Sequence, residues 1–155
     1  MKKNKFTLLK LFLWLVICQI PSLLGAPFVY GNMDWYDQLT KPLLTPPDAW
    51  FGIVWSILYV LLGLSAFLAF RQKFHAKQLA LFTGQLALNI CWTPIFFGAR
   101  SLLGALFLLL AMLGEMVGLF RAFWKASPTA AYLLIPYTLW MVFATYLTIG
   151  FWWLN

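Results

Sequence analysis

Five apolar segments, each long enough to cross a lipid bilayer, limit more than any other feature how this chain can fold. A helix needs about 20 apolar residues to span the hydrocarbon core of a membrane. The sequence has such segments at about 8–27, 49–70, 78–97, 102–124 and 129–153. Unpaired backbone groups are too costly in lipid, so each segment is predicted to be helical. We expect an all-α integral membrane protein, a five transmembrane helix bundle that forms one domain over residues 1–155.

The composition excludes a water-soluble domain and argues against nucleic-acid binding. Hydrophobic residues make up 63% of the 155 positions and charged residues 10%, whereas about 25% are charged in a typical soluble domain. A chain of this length does not bury so much apolar surface in water. The 11 Lys and Arg exceed the 4 Asp and Glu, but they fall in short clusters between apolar segments and form no basic stripe.

The distribution of Lys and Arg predicts the orientation. Five spans place nine basic residues on one side and only Lys41 and Arg100 on the other. Basic residues in short loops stay in the cytoplasm. The amino terminus is therefore predicted to be cytoplasmic, with the first loop and the carboxyl terminus outside a bacterial inner or plasma membrane. The nine basic residues are Lys2, Lys3, Lys5, Lys10, Arg71, Lys73, Lys77, Arg121 and Lys125.

The first apolar segment and the connection after it each need an interpretation. A basic start, an apolar core and then Gly25 and Ala26 are typical of a secretory signal peptide, but the long core and the bulky Leu24 argue against cleavage. The connection 28–48 is rich in aromatic, acidic and proline residues. Because proline lowers the entropy lost on ordering, we predict a long ordered loop between helices 1 and 2 that acts as a lid.

Polar and aromatic side chains share single faces of three helices, which predicts a pocket between them. Polar groups inside lipid usually face a bundle interior or a cavity. The alternative is that they form hydrogen bonds that only hold the helices together. The residues are Gln85, Asn89 and Trp92 on the third helix, Trp55 and Tyr59 on the second, and Tyr137, Trp140, Ala144 and Leu147 on the fifth.

The tryptophans are predicted to have two roles. Membrane proteins place belts of tryptophan and tyrosine at the lipid–water interface. Such a belt explains the tryptophans near helix ends, which are Trp14, Trp124, Trp152 and Trp153. A belt does not explain Trp140, which falls in mid-span. A buried indole N–H needs a partner, so a tryptophan beside an amide such as Asn89 would be suited to recognise a ligand.

Two further features of the spans bear on function or packing. Glu115 is the only acidic residue deep in a span, and such a carboxylate is a functional candidate, with a protonated carboxyl packed against another helix as the alternative. Small residues recur every four positions on the third and fourth helices, which predicts close helix packing and allows a homodimer. These candidate packing or dimer residues are Ala76, Ala80, Gly84, Gly114 and Gly118.

A series of motifs runs from residue 35 to 147 with nearly ungapped spacing. They are Trp35-Tyr36-x-x-Leu39-x-Lys41-Pro42, Pro46-Pro47, Trp55-x-x-x-Tyr59, Asn89-x-x-Trp92-x-Pro94-x-Phe96-Phe97-Gly98, Ser127-Pro128 and Leu134-x-Pro136-Tyr137-x-x-Trp140-x-x-Phe143-Ala144-Thr145-Tyr146-Leu147. Together they resemble the TspO/MBR family, which comprises the tryptophan-rich sensory proteins of bacteria and the mitochondrial translocator protein, also called the peripheral-type benzodiazepine receptor.

The resemblance implies a five-helix fold, often dimeric, with a pocket that opens toward the first loop. It implies porphyrins, isoquinoline and benzodiazepine drugs and, in animal members, cholesterol as ligands. The matching pocket positions are Tyr36, Trp55, Asn89, Trp140 and Ala144. With the lid and the third-helix stripe included, the predicted ligand-binding residues are Trp35, Tyr36, Trp55, Asn89, Trp92, Trp140 and Ala144.

We therefore expect a sensor, regulator or transporter that binds porphyrins and needs no cofactor. One alternative is a light-dependent porphyrin-degrading enzyme with Trp55 and Trp140 as catalytic residues, and another is a structural or regulatory subunit of a membrane complex. No basic residue follows Tyr146, so the cholesterol pattern of animal members is missing. Thr148 replaces a common Asn, a change not expected to touch the pocket. No hydrolytic motif or metal-ligand set is present, so no metal is expected.

Overall fold

The structure, a computed structural model, describes residues 2–71 and 75–155, with side chains from residue 7 onward. Within these residues five spans are long and apolar enough to cross a membrane, as predicted. Their main helices are α1 (Lys2–Tyr30), α3 (Asp48–Ala69), α4 (Ala76–Thr93), α5 (Leu102–Ala126) and α7 (Ile135–Leu154). Two short helices, α2 (Met33–Gln38) and α6 (Pro128–Tyr132), lie in the first loop and before α7.

Proline determines where the observed helices depart from the predicted segments. The third span continues beyond α4 as a π-helical turn, Pro94–Gly98, in which the Ala99 N–H donates to the Pro94 carbonyl at 2.8 Å. The fifth span is divided between α6 and α7, because Pro136 occupies the first turn of α7. Proline lacks an N–H and suits a first helical turn better than a helix interior.

The five spans form a closed ring in the order α1, α3, α7, α5, α4, each of which contacts the next. The approach of α1 and α3 differs between the two ends of the bundle. A Cβ atom added to Gly63 would lie 3.1 Å from the Leu15 Cα, whereas one added to Gly52 would meet no described residue within 4 Å. The two helices therefore pack closely at Gly63, whereas Gly52 has open space beside it near the end that carries the first loop, which we call the loop end.

Aromatic packing fills the opposite end of the bundle. We call this end the basic end, because the basic residues near the helix ends gather there: Lys10, Arg71, Lys77, Arg121 and Lys125. Phe70 packs edge to face on Phe82 at 5.9 Å and on Phe123 at 5.5 Å between ring centroids. Trp14 stacks on Phe70 at 5.0 Å. Trp14 is partly buried and packs against the core through Phe70 and through Phe82 of α4, and its role as an interface anchor stays a prediction.

Glu115 packs against a neighbouring helix, which was the alternative to a functional carboxylate. Its Oε1 lies against Gly84 of α4, where a Cβ atom would clash with it. Its Oε2 is buried and has no hydrogen-bond partner in the described part of the chain. Gly84 is therefore needed for the packing of α4 on α5 within one chain.

The other small residues divide between internal packing and exposed faces. Gly118 of α5 lies against Leu81, since an added Cβ would meet the Leu81 Cδ2 at 3.4 Å. A Cβ on Gly114 would meet nothing within 4 Å among the described residues, and Ala76 and Ala80 are exposed. The homodimer stays a prediction.

Candidate functional site

A cavity of about 420 Å³ opens within the ring at the loop end. Ligand sites commonly have volumes of about 300–1,000 Å³ and apolar walls. All five spans contribute to the wall. Its aromatic members are Tyr30, Tyr36, Phe51, Trp55, Tyr59, Trp92, Phe96, Phe97 and Phe151.

Asn89 joins three helices through buried hydrogen bonds at the inner end of this cavity. Its Nδ2 donates to the Tyr137 hydroxyl at 2.5 Å and to the Gln85 carbonyl at 2.8 Å. The Tyr59 hydroxyl donates to the Asn89 Oδ1 at 3.2 Å, and the Gln85 Nε2 lies 3.3 Å from the Tyr137 hydroxyl. Asn89 thus holds the bundle together and also lines the cavity, whereas Gln85 has only the first role.

Two polar atoms in the cavity wall are buried without a hydrogen-bond partner among the described residues. They are the Tyr36 hydroxyl and the Trp92 Nε1. Burial, followed by the charges of Asp48 and Asp37, raises the pKa of Tyr36 above its ordinary value, so its hydroxyl remains a donor near neutral pH. An unmatched buried donor costs about 1–3 kcal/mol. A ligand with acceptor atoms would remove this cost.

The first loop covers the loop end of the bundle and places Tyr36 on the cavity. The ring of Tyr36 packs on Phe151 at 5.5 Å and on Phe97 at 5.6 Å. The Lys41 Nζ lies 3.2 Å from Asp48, 3.5 Å from Asp37 and 4.7 Å from the centre of the Tyr36 ring. Lys41 therefore ties the loop to the start of α3 through contacts that are partly exposed.

The carboxyl-terminal end of α7 anchors the same loop. Asn155 accepts from the Thr40 N–H at 2.8 Å and donates to the Thr40 carbonyl at 3.2 Å. A Cβ on Gly150 would lie 2.5 Å from the Pro42 Cβ, so only glycine allows this close contact. The Tyr146 hydroxyl donates to the Leu43 carbonyl at 3.0 Å.

Replacing Asn155 with Ala should loosen the loop without unfolding the bundle. Both hydrogen bonds to Thr40 would be lost, at about 1 kcal/mol each for exposed, neutral groups. We expect the amide protons of residues 36–45 to exchange with solvent several-fold faster, while those of α5 keep their rates, as measured by hydrogen–deuterium exchange. Thr83→Val is a matched control, because Thr83 bonds only to carbonyls of its own helix. Unchanged exchange in Asn155→Ala would contradict the anchoring role.

The structure brings together most of the predicted ligand-binding residues. Tyr36, Trp55, Asn89, Trp92 and Ala144 line the cavity. Trp35 and Trp140 are not part of its wall.

Trp35 and Trp140 instead pack behind the cavity wall. Trp35 lies edge to face against Phe96 at 5.9 Å, with the Arg100 guanidinium 5.8 Å from its ring centre. Trp140 packs on Phe51 at 6.2 Å and on Phe143 at 5.3 Å. Trp55 and Trp140 therefore do not face each other across the cavity.

Two groups of wall residues were missed from the sequence, for different reasons. Phe151 lies two helical turns after Ala144, so the helical period that identified Ala144 would also have found it. Thr148, expected to lie away from the pocket, is part of the wall. The wall of α1 ends in Tyr30, which was missed, and consists otherwise mainly of small or proline residues, which form no polar or aromatic stripe: Pro21, Ser22, Gly25 and Ala26.

Comparison with known proteins accounts for nearly the whole chain. The family model described as TspO/MBR family matches residues 12–154. The human "Translocator protein" is 42% identical over 141 residues, which cover 85% of this chain and 83% of that protein. "Protein CrtK" of Rhodobacter capsulatus is 34% identical over 146 residues, 92% of this chain and 90% of that protein. The "Tryptophan-rich sensory protein" of Cereibacter sphaeroides is 32% identical over 136 residues, 85% and 86% of the two chains. A match of this extent, on five membrane-spanning helices, shows that the chain belongs to the TspO/MBR family.

Proposed function

We propose that the chain binds a porphyrin, or a related flat apolar molecule, in the cavity at the loop end and acts as a sensor, regulator or transporter of it. The observation that carries the proposal is an aromatic wall with two buried donors that lack partners among the described residues, the Tyr36 hydroxyl and the Trp92 Nε1. A planar ring system stacks on aromatic faces. Acceptor groups at the edge of such a ring would satisfy the two donors.

The aromatic side chains suit a planar ligand because their own positions are already fixed by packing. Trp55 stacks on Tyr59 at 5.5 Å and meets Tyr137 edge to face at 5.9 Å. Trp92 stacks on Phe96 at 4.9 Å. Little side-chain entropy remains to be lost when a ligand binds, which favours affinity. The names of the relatives, a sensory protein and a translocator, support sensing or transport of a bound molecule.

We also propose that the amino terminus is cytoplasmic and that the cavity opens on the opposite side of a bacterial inner membrane. Lys10, Arg71, Lys77, Arg121 and Lys125 belong to the basic end, near the ends of four helices. Basic residues are retained on the cytoplasmic side. A cysteine-reactive, membrane-impermeant probe on single-cysteine variants at each end, in intact and permeabilised cells, would test this orientation.

Titration of the purified protein with protoporphyrin IX tests ligand binding. Saturable quenching of tryptophan fluorescence is expected, and Trp55→Phe should weaken the affinity about fivefold, because a smaller ring at the wall loses stacking worth about 1 kcal/mol. Trp153→Phe is the matched control, since that indole is 79% exposed at the end of α7. Equal affinities for the two variants, or quenching without saturation, would contradict binding in this cavity.

Illumination of the same samples separates binding from degradation. A binding protein leaves the porphyrin absorbance unchanged in light. New product bands that disappear in Trp55→Phe but not in Trp153→Phe would assign a light-dependent degrading activity instead. Loss of function in Gly114→Leu together with normal function in Trp55→Phe would indicate a subunit of a membrane complex, since a Cβ on Gly114 meets nothing within 4 Å among the described residues.

A further inference from the structure

A second cavity, of about 320 Å³, lies at the basic end on the surface between α1 and α3. Two cations, Lys10 and Arg71, lie at its rim, and its wall includes Leu13, Ile17 and Phe67. Its inner side is formed by Trp14 and Phe70, whose rings stack at 5.0 Å. This cavity, which we call the basic groove, is therefore apolar along its length and positive at one end.

The charge distribution of the chain makes the basic end attractive to anions. The sequence contains no acidic residue in 1–33 or in 49–114. Asp34, Asp37 and Asp48 lie at the loop end, and Glu115 packs against Gly84 inside the membrane. The basic end thus has a large net positive charge, which attracts anionic groups of its surroundings.

The position of the basic groove relative to a bilayer matches the structure of a phospholipid. Lys10 lies near the start of the first span, Thr7–Tyr30, and Arg71 follows the end of α3, so both cations lie at the height of lipid headgroups. Along α1, residues 10 to 17 cover about 10 Å. Leu13 and Ile17 are exposed on this stretch and face the depth at which acyl chains begin.

We propose that the basic groove binds an anionic phospholipid of the surrounding leaflet, with its phosphate between Lys10 and Arg71 and an acyl chain along Leu13, Ile17 and Phe67. Basic pockets between transmembrane helices commonly bind anionic headgroups. A zwitterionic headgroup would bring an additional positive charge to two cations and is disfavoured. A free phosphate ion would leave the apolar length of the groove unfilled, so the proposal commits to a lipid.

The bound lipid would connect α1 to α3 at the basic end, where Trp14 stacks on Phe70. Its chain would lie on the outer surface of the pair Trp14 and Phe70, whose packing reaches Phe82 of α4. Because α1 also supplies a wall of the ligand cavity, the lipid site and the ligand cavity share one helix. The lipid proposal does not depend on the identity of the ligand in that cavity.

Native mass spectrometry of the full chain, released from detergent after incubation with lipid, tests the proposal. Phosphatidylglycerol should be retained at least fivefold more than phosphatidylcholine of the same chain length. Lys10→Gln with Arg71→Gln should lower the affinity for phosphatidylglycerol about 25-fold, since each cation near the headgroups contributes about fivefold. Arg121→Gln with Lys125→Gln removes the same charge from exposed positions of α5 at the same end and should change it less than threefold. An equal loss in both pairs would show a diffuse attraction and overturn the proposal.

Two further arms separate a lipid site from a diffuse attraction to the bilayer and from a site for free phosphate. Leu13→Trp fills the groove without a change in charge and should also displace phosphatidylglycerol, whereas a bilayer attracted only by charge would not respond to it. Inorganic phosphate or glycerol 3-phosphate at millimolar concentration should not compete. Competition at that concentration, or equal retention of phosphatidylcholine, would overturn the lipid assignment.

Discussion

An Ala144→Phe variant is expected to lose most of its porphyrin binding while its helical bundle stays folded. Ala144 is 8% exposed and lines the cavity beside Leu147 and Thr148. A phenyl ring at this position would project into the space that the ligand occupies. A ligand that has to share the site with this ring meets an overpacking cost of about 1–3 kcal/mol. The same loss of binding free energy lowers affinity about five- to more than hundredfold. Fluorescence quenching by protoporphyrin IX measures the change.

Leu139→Phe is the control for this prediction. Leu139 lies on the same helix but is 65% exposed and faces lipid, so the larger ring should leave affinity and thermal stability unchanged. Circular dichroism in detergent checks that both variants keep their helix content. Wild-type affinity in Ala144→Phe would mean that the ligand binds elsewhere, on the surface or at an interface between chains.

The sequence predicts the five spans well because the signal for each is local. Twenty apolar residues in a row have few alternatives to a transmembrane helix. The same local reasoning identified Asn89, Trp92, Trp55 and Ala144 as residues of inward-facing stripes, and these do line the cavity.

Trp140 shows where local reasoning fails. It shares a helical face with Ala144, yet a cavity wall is only as wide as the gap between the neighbouring helices. One turn before Ala144, Phe51 of α3 already fills that gap and packs against the indole. Such a boundary depends on the order of helices in the ring, which no periodic pattern contains.

Trp140 shows the expected pattern but lies off the cavity wall, whereas the residues of α1 lie on the wall without showing a pattern. Gly25 lies on the cavity wall, and a Cβ added to it would lie 2.9 Å from the Thr93 Oγ1 of α4. A small residue lets the helices approach, and the pocket forms beside that contact. In the sequence, Gly25 and Ala26 have the same appearance as the end of a signal peptide, so composition alone does not reveal their role.

Replacing Asn89 with Leu, which has a similar volume, is expected to destabilise the bundle and weaken porphyrin binding together. Three hydrogen bonds would be lost, to Tyr59, Tyr137 and Gln85. Side-chain hydrogen bonds in membrane proteins contribute about 0.6 kcal/mol on average and up to about 1.7 kcal/mol. The hydroxyl of Tyr59 would be left buried without this partner, which adds about 1–3 kcal/mol. We expect a total loss of about 3 kcal/mol, seen as a lower midpoint of thermal unfolding in detergent.

Thr83→Val distinguishes this effect from a general weakening of α4. Thr83 is exposed on the same helix, and its hydroxyl bonds only to the Leu79 and Ala80 carbonyls. The same kind of change, from a polar to an apolar side chain, should therefore shift the unfolding midpoint little, because lipid accepts the added methyl group.

Binding measured at a temperature well below both unfolding midpoints separates the two roles of Asn89. If Asn89→Leu is less stable but binds protoporphyrin IX as tightly as wild type, the amide serves only to hold the helices together. If both stability and affinity fall, Asn89 also keeps Tyr59, and Trp55 stacked on it, in place for the ligand.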